Sequence, residues 1–193
     1  GVERSFEISE LAERLISNQN KLIFKFTTDT TTKVVERVVF DALKEGWGID
    51  KAARELAKSL GLRMKDARMI AQTEIGAAQQ AAQLEGYRQS GVVQGKMWTT
   101  ALDNRVRDSH MIEGQVRSID EDFELRDGAF APSPRSEVLE AGDRINCRCI
   151  MVPIMMGEDP SKIISESIAK QKKIMDKEIF KLEKTGFVEE PNE

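Results

Sequence analysis

Apolar side chains recur every three or four residues along most of the chain, and breaks in that rhythm mark where its elements begin and end. Ile8, Leu11, Ala12, Leu15 and Ile16 predict a helix over residues 8–19. The apolar run Leu22-Ile23-Phe24-Lys25-Phe26 then enters the polar connector Thr27-Thr28-Asp29-Thr30-Thr31-Thr32, which suggests a boundary near residue 30. Val34, Val35, Val38, Val39 and Ala42 line one face of a helix ending at Gly46, although so many β-branched residues would also suit a strand. Beyond Gly46-Trp47-Gly48, Asp50 is expected to cap a short helix in which Ala52, Leu56 and Leu60 stack with Ala53 and Ala57 beside them, and Gly61 stops it. Ala67, Ala71, Ile75, Ala78 and Ala82 continue without proline from Met64 to about Gln89, the longest helix predicted, ended by Ser90-Gly91. Its small side chains let a neighbouring element approach closely.

Near residue 92 the period changes. Lys96-Met97-Trp98-Thr99-Thr100 is short and β-prone and predicts a strand. If residues 103–110 are helical, Asp103, Arg107 and His110 share a face, with Asp103 and Arg107 spaced to pair. Residues 115–143, with Pro132 and Pro134 and little periodicity, predict a long loop with local turns. From Arg144 to Ile154 a strand is predicted in which Ile145, Cys147, Cys149 and Met151 share one face, so that both thiols point the same way, while Asn146, Arg148, Ile150 and Val152 share the other. Asp159-Pro160 supplies an N-cap and a first-turn proline for a C-terminal helix striped by Ile164, Ile168, Met175, Ile179 and Leu182 and ending at Gly186. These elements predict an α+β fold, mainly helical, with a small β-sheet core carrying the His/Cys cluster and a C-terminal amphipathic helix. The division expected is an N-terminal helical region over 1–60, a central domain over 61–155, and the amphipathic helix and tail over 156–193.

Composition narrows the class. Of 193 residues, 40% are hydrophobic and 32% charged, which suits a helix-rich globular chain. No apolar run reaches the roughly 18 residues of a membrane span. A net charge of −4 excludes a globally basic nucleic-acid binder while allowing a local patch. Two cysteines cannot make a disulfide framework, and a Cys-x-Cys pair is poorly spaced for a bridge, so a reducing compartment is expected. The start, Gly1-Val2-Glu3-Arg4-Ser5, has no signal-peptide pattern, and a leading Gly suggests a trimmed or longer parent chain.

The chemistry concentrates between Trp98 and Cys149, where the chain's one histidine and both cysteines lie. His110, Cys147 and Cys149 are the donor types tetrahedral zinc takes, with Asp103 or Asp108 as a fourth ligand. A structural zinc is therefore the cofactor these residues suggest. The competing reading is plain packing: free cysteines are usually buried, and a lone histidine beside an aspartate is often only hydrogen-bonded. A catalytic reading makes His110 the base for a Cys147 or Cys149 nucleophile, but nothing marks an oxyanion hole. Arg105 and Arg107 are expected to fix the acidic loop through Asp120, Glu121 or Asp122. Seven lysines from Lys162 to Lys184 form either a solvated helix face or a contact for DNA phosphates.

The ordered set Ala71-Gln72-Thr73-Glu74, Tyr87, Gly91, Trp98, Asp103-Asn104-Arg105-Val106-Arg107-Asp108-Ser109-His110, Gly114, Phe130, Pro132 and Asn146-Cys147-Arg148-Cys149 resembles the head morphogenesis domain of the phage Mu F-like family of minor head proteins. The resemblance covers about residues 60–153 and makes 61–155 the family domain. Its combination of motifs is specific, although each alone is weak. Matching the signature are Trp98, Asp103, Arg105, Arg107, His110, Gly114, Asn146, Cys147 and Cys149. The resemblance implies a structural assembly role rather than an enzyme: a virion protein of the phage head interior, made in the host cytoplasm, bound to the portal and capsid interior, and in some members affecting DNA packaging or ejection. A zinc hydrolase or thiol enzyme packaged in the head is the alternative. No membrane partner is implied.

Overall fold

A computed structural model describes residues 29–184. The helix predicted over 8–19 and the helix end at Gly186 lie outside the described residues. Helix α1 runs Asp29–Glu45, α2 Ile49–Leu60 and α3 Met64–Ser90. The β-branched run at Val34–Val39 is thus helical: Val35, Val38, Val39 and Ala42 are buried together against Ala52, Ala53 and Leu56 of α2 and Ala67, Ala71, Ile75 and Ala78 of α3. Burial of that 3.6-residue stripe outweighs the weak strand preference of valine. Gly61 and Gly91 end α2 and α3 in the left-handed conformation, as the punctuation predicts. The cap of α2 differs from expectation. Gly48 is the N-cap in extended backbone, and Asp50 lies in the first turn, where a carboxylate favours the helix dipole, paired with Arg68 at 2.8 Å.

Helix α3, 27 residues long and therefore about 40 Å from end to end, is shared by two cores. Its first half closes the three-helix core just described. Leu84 and Tyr87, further along, join a second core with Val93, Trp98, Phe123, Leu125, Ala131, Leu139, Cys147, Cys149 and Met151. Alanines dominate the inner face of the first half, which is why α1 and α2 can pack so closely on it.

The second core is built on an antiparallel sheet of order β2-β1-β5, with β1 (Val93–Thr99) between β2 (Val116–Ser118) and β5 (Ile150–Met155). Trp98 pairs across from Met151 and Met97 from Val152. Gly95 lies under β2, where a Cβ would meet the Arg117 carbonyl at 2.9 Å. The region predicted as loop over 115–143 contains β2 and a small hairpin, β3 (Phe123–Glu124) with β4 (Phe130–Ala131), followed by a one-turn helix α4 (Ala141–Arg144). The predicted strand from Arg144 is shorter than expected. Asn146 takes φ 57°, a left-handed turn that asparagine tolerates, and regular pairing starts only at Ile150. Cys147 and Cys149 therefore lie in the extended entry to β5, both buried, while Asn146 and Ile150 are exposed, so the predicted alternation of faces holds without the ladder.

Helix α5 spans Pro160–Lys184. Asp159 caps it as predicted, its Oδ1 accepting the Ser161 N–H at 2.9 Å. The helix docks on the loop after β1: Glu113 accepts a hydrogen bond from Ser167 Oγ, and Gly114, at φ 77°, sits where a Cβ would meet Ile164 at 3.2 Å. Lys162, Lys170, Lys172 and Lys173 are exposed. Among the described residues, no helix is long and apolar enough to cross a membrane.

Candidate functional site

Three segments meet at the site: the turn ending at His110, the entry to β5, and the middle of α3. His110 is held by a short 3-10 turn, Asp108–His110, and its ring stands edge-on to Trp98 with centroids 5.5 Å apart. Trp98 in turn packs edge-on against Phe123 at 5.3 Å. His110 Nδ1 lies 3.5 Å from Cys147 Sγ and 3.6 Å from Cys149 Sγ. All three residues are buried, at 1%, 1% and 3% exposure. The other ring nitrogen, Nε2, is 3.4 Å from Asp143 Oδ1, within ion-pair distance although out of line for a hydrogen bond. Ser109 Oγ donates to the same oxygen at 2.6 Å.

Two thiols sharing one neighbour titrate as a pair. Cys149 and His110 favour loss of the first proton, at Cys147, despite its burial, whereas the thiolate so formed, together with burial, pushes Cys149 up. The backbone N–H of Cys149 also donates to Cys147 Sγ at 3.4 Å.

The segment carrying the cysteines is bonded to α3 through side chains. Thr73 Oγ1 accepts the Asn146 N–H at 2.9 Å, and Gln80 Oε1 accepts the Met151 N–H at 2.8 Å. Between them, Arg144 Nη2 donates to Glu74 Oε2 at 3.0 Å, with both side chains 1% exposed. Arg144 Nε donates to the Arg135 carbonyl at 3.2 Å, and Arg135 Nε donates to the Cys147 carbonyl at 2.6 Å. Arg135 adopts φ 63°, a conformation uncommon for a residue with a Cβ, held here by bonds at both its ends. Its guanidinium lies on Gly76, where a Cβ would meet Nη1 at 2.3 Å.

These relations correct several sequence expectations. Residues 103–110 form turns and not a helix, so Asp103 and Arg107 do not pair. Asp103 instead holds Arg148 in a bidentate contact at 2.6 and 2.7 Å, and Arg148 keeps its carboxyl below the usual range. Arg107 reaches the Ile145 carbonyl at 2.5 Å. Asp120 is taken by Arg88 at 3.0 Å, so the acidic loop is not fixed by Arg105 and Arg107; the Arg105 side chain is exposed beside the cluster. Neither Asp103 nor Asp108 groups with the three donors, and the carboxylate behind His110 belongs to Asp143.

Sequence reading missed Gly76, Gln80, Arg135, Asp143 and Arg144. One signal was present: Glu74 sits on the face defined by Ala67, Ala71 and Ala78, and a charge on an apolar stripe demands a partner. Burial pushes its carboxyl up to about 7 from an ordinary 4.5, against the pull of Arg144. The folded state thus prefers the protonated acid, so Glu74 contributes most below pH 4.5 and loses that contribution as pH rises through 7. Glu74→Gln, which keeps an oxygen for Arg144 but never ionises, is expected to gain roughly 2–3 kcal/mol relative to wild type between pH 4.5 and 8 in urea unfolding. Parallel pH profiles for the two proteins would contradict this.

The family model described as Phage Mu protein F like protein matches residues 33–152, more than half of the chain. The chain belongs to this family. The match takes in α1 and α2 as well as the motif-bearing segments, and so covers both cores. Among relatives, the Bacillus subtilis uncharacterized protein YqbB is 30% identical over 163 residues, covering 82% of this chain and 52% of that protein. Minor head protein GP7 of Bacillus phage SPP1 is 29% identical over 167 residues, covering 79% of this chain and 52% of its own. An uncharacterized protein of Haemophilus influenzae is 24% identical over 89% of this chain and 36% of its own. The chain spans about half the length, or less, of these curated relatives. No solved structure matches it. In this Mu F-like chain, most of the signature residues do structural work: Trp98 and His110 pack together, Asp103 grips Arg148, Asn146 turns the chain, and Gly114 admits α5.

Proposed function

We propose that this chain is the head-morphogenesis part of a phage minor head protein, a structural constituent that sits inside the head at the portal vertex and enters it from the host cytoplasm during assembly. The observation that carries this reading is the family match over 33–152, which covers both cores and the side-chain contacts joining them. Likeness to a minor head protein over 79% of the chain supports it. The exposed lysines of α5 offer a contact for packaged DNA, with a role in packaging or ejection. The enzyme alternatives fit less well. Both sulfurs are buried, which ill suits a nucleophile. The opening beside the cluster is walled by Arg105, Arg107, Asn146 and Arg148 and not by a carboxylate able to serve as general base.

The test is co-expression with the portal and scaffold-assembled capsid proteins of the same genome. The chain is expected to co-purify with portal particles and to be retained in heads at low copy number. Failure to associate with portal or head, with or without DNA, overturns the assignment. The DNA contact is checked separately: binding should weaken steeply with salt and with Lys172→Glu/Lys173→Glu.

A further inference from the structure

At His110 two thiols converge on one ring nitrogen, which leaves one of them only the neighbouring sulfur, a weak acceptor, to bond. A neutral imidazole nitrogen carries a single lone pair, yet Cys147 Sγ and Cys149 Sγ both lie 3.5–3.6 Å from the same Nδ1. At most one S–H can donate to it. A cation between the three atoms engages them all. Their spacing agrees with that of a bound metal: zinc bonds of about 2.0 Å to nitrogen and 2.3 Å to sulfur at a tetrahedral angle place N and S about 3.5 Å apart. All three donor atoms lie within 4.8 Å of one another, and the Cys149 N–H pointing at Cys147 Sγ is the kind of donor that stabilises a metal-bound thiolate.

We propose that His110 Nδ1, Cys147 Sγ and Cys149 Sγ bind one Zn2+ ion, backed by Asp143 and open at the fourth position to the surface depression beside Arg105 and Arg148. Asp143 is placed for the outer-sphere role: it stands 3.4 Å from His110 Nε2, the nitrogen facing away from the sulfurs, and Ser109 fixes its oxygen at 2.6 Å. A carboxylate at that distance from a ligating histidine favours the Nε2–H tautomer electrostatically and steadies the ring, without an aligned hydrogen bond. Two thiolates and a neutral imidazole cancel the ion's charge, so the buried site is neutral overall. The depression touches His110 and Cys149, which leaves room for a water as fourth ligand. The ion joins the turn at His110 to the entry of β5 across 37 and 39 residues of chain, so metal binding adds directly to folding stability. This inference is independent of the assembly role and survives its failure.

The test uses the full chain, purified with and without zinc. Native mass spectrometry is expected to show one zinc per chain, and replacement by Co2+ should give thiolate-to-cobalt charge-transfer absorption with the intense visible bands of a tetrahedral site. Cys149→Ser should abolish both. Because that variant risks misfolding, Asp143→Asn provides the second measurement: it should keep the fold and the stoichiometry while zinc affinity falls 10- to 100-fold. A purely packing role for Asp143 would leave that affinity unchanged and remove its outer-sphere assignment. Folded wild-type protein that retains no zinc and gives no cobalt–thiolate absorption overturns the site.

Discussion

At pH 8, above the raised pKa of Glu74, Arg144→Met is expected to lower the stability of the fold by about 3–5 kcal/mol, the usual consequence of removing one partner from a buried ion pair. The arginine connects the two cores. Its Nη2 bonds Glu74 on α3 and its Nε bonds the Arg135 carbonyl, and the guanidinium is 1% exposed. Methionine fills much of the same volume but leaves the Glu74 carboxyl and the Arg135 carbonyl buried without their donor. Arg135 is then held less firmly, and through its bond to the Cys147 carbonyl the loss reaches the cysteine segment. Replacing both partners, Glu74→Leu with Arg144→Met, should recover a good part of the loss, because an apolar pair has no charge to desolvate. Urea unfolding of the two single variants and the double variant forms the cycle. A loss below about 1 kcal/mol for Arg144→Met would mean that the pair contributes little.

The second large effect concerns two glycines on one helix. In a helix interior, Gly→Ala ordinarily stabilises by about 0.5–1 kcal/mol. Gly86, in α3, has nothing within 4 Å of an added Cβ, and Gly86→Ala should show that gain. Gly76→Ala should show the opposite sign. Its Cβ would lie 2.3 Å from Arg135 Nη1, 2.7 Å from Cζ and 3.0 Å from Nε. A free arginine would swing aside, but this one is pinned by its 2.6 Å bond to the Cys147 carbonyl and by its own carbonyl's bond to Arg144. Displacing it strains the packing and leaves a buried carbonyl unmet, for a combined loss of about 2–4 kcal/mol. Thermal or urea unfolding of both variants side by side isolates the contact from helix propensity. Stabilisation by Gly76→Ala equal to that by Gly86→Ala would contradict the contact between Gly76 and the Arg135 guanidinium.

If zinc binds as inferred, these predictions are coupled to it, because Arg135 orders the Cys147 carbonyl within the metal-bearing segment. Gly76→Ala should then weaken zinc retention as well as stability, whereas Gly86→Ala should leave it unchanged.

The residue pattern alone determined α1, α2, α3 and the start of α5, the glycine stops of α2 and α3, the cap at Asp159, the α+β class and the common side on which Cys147 and Cys149 point. Each of these is local: a stripe every 3.6 residues, a left-handed stop, or alternation along an extended chain depends only on near neighbours. The family resemblance rested equally on local motifs. Tertiary structure decided the pairings. Arg144 finds Glu74 across 70 residues and Arg148 finds Asp103 across 45, while Asp143 rather than Asp103 or Asp108 stands behind His110. Those contacts depend on the path of the chain through the left-handed residues Leu102, Arg135 and Asn146, whose conformations the pattern of apolar positions does not encode. Desolvation then made the buried matches obligatory, because a charge placed inside the fold must meet its counterpart wherever the chain delivers it.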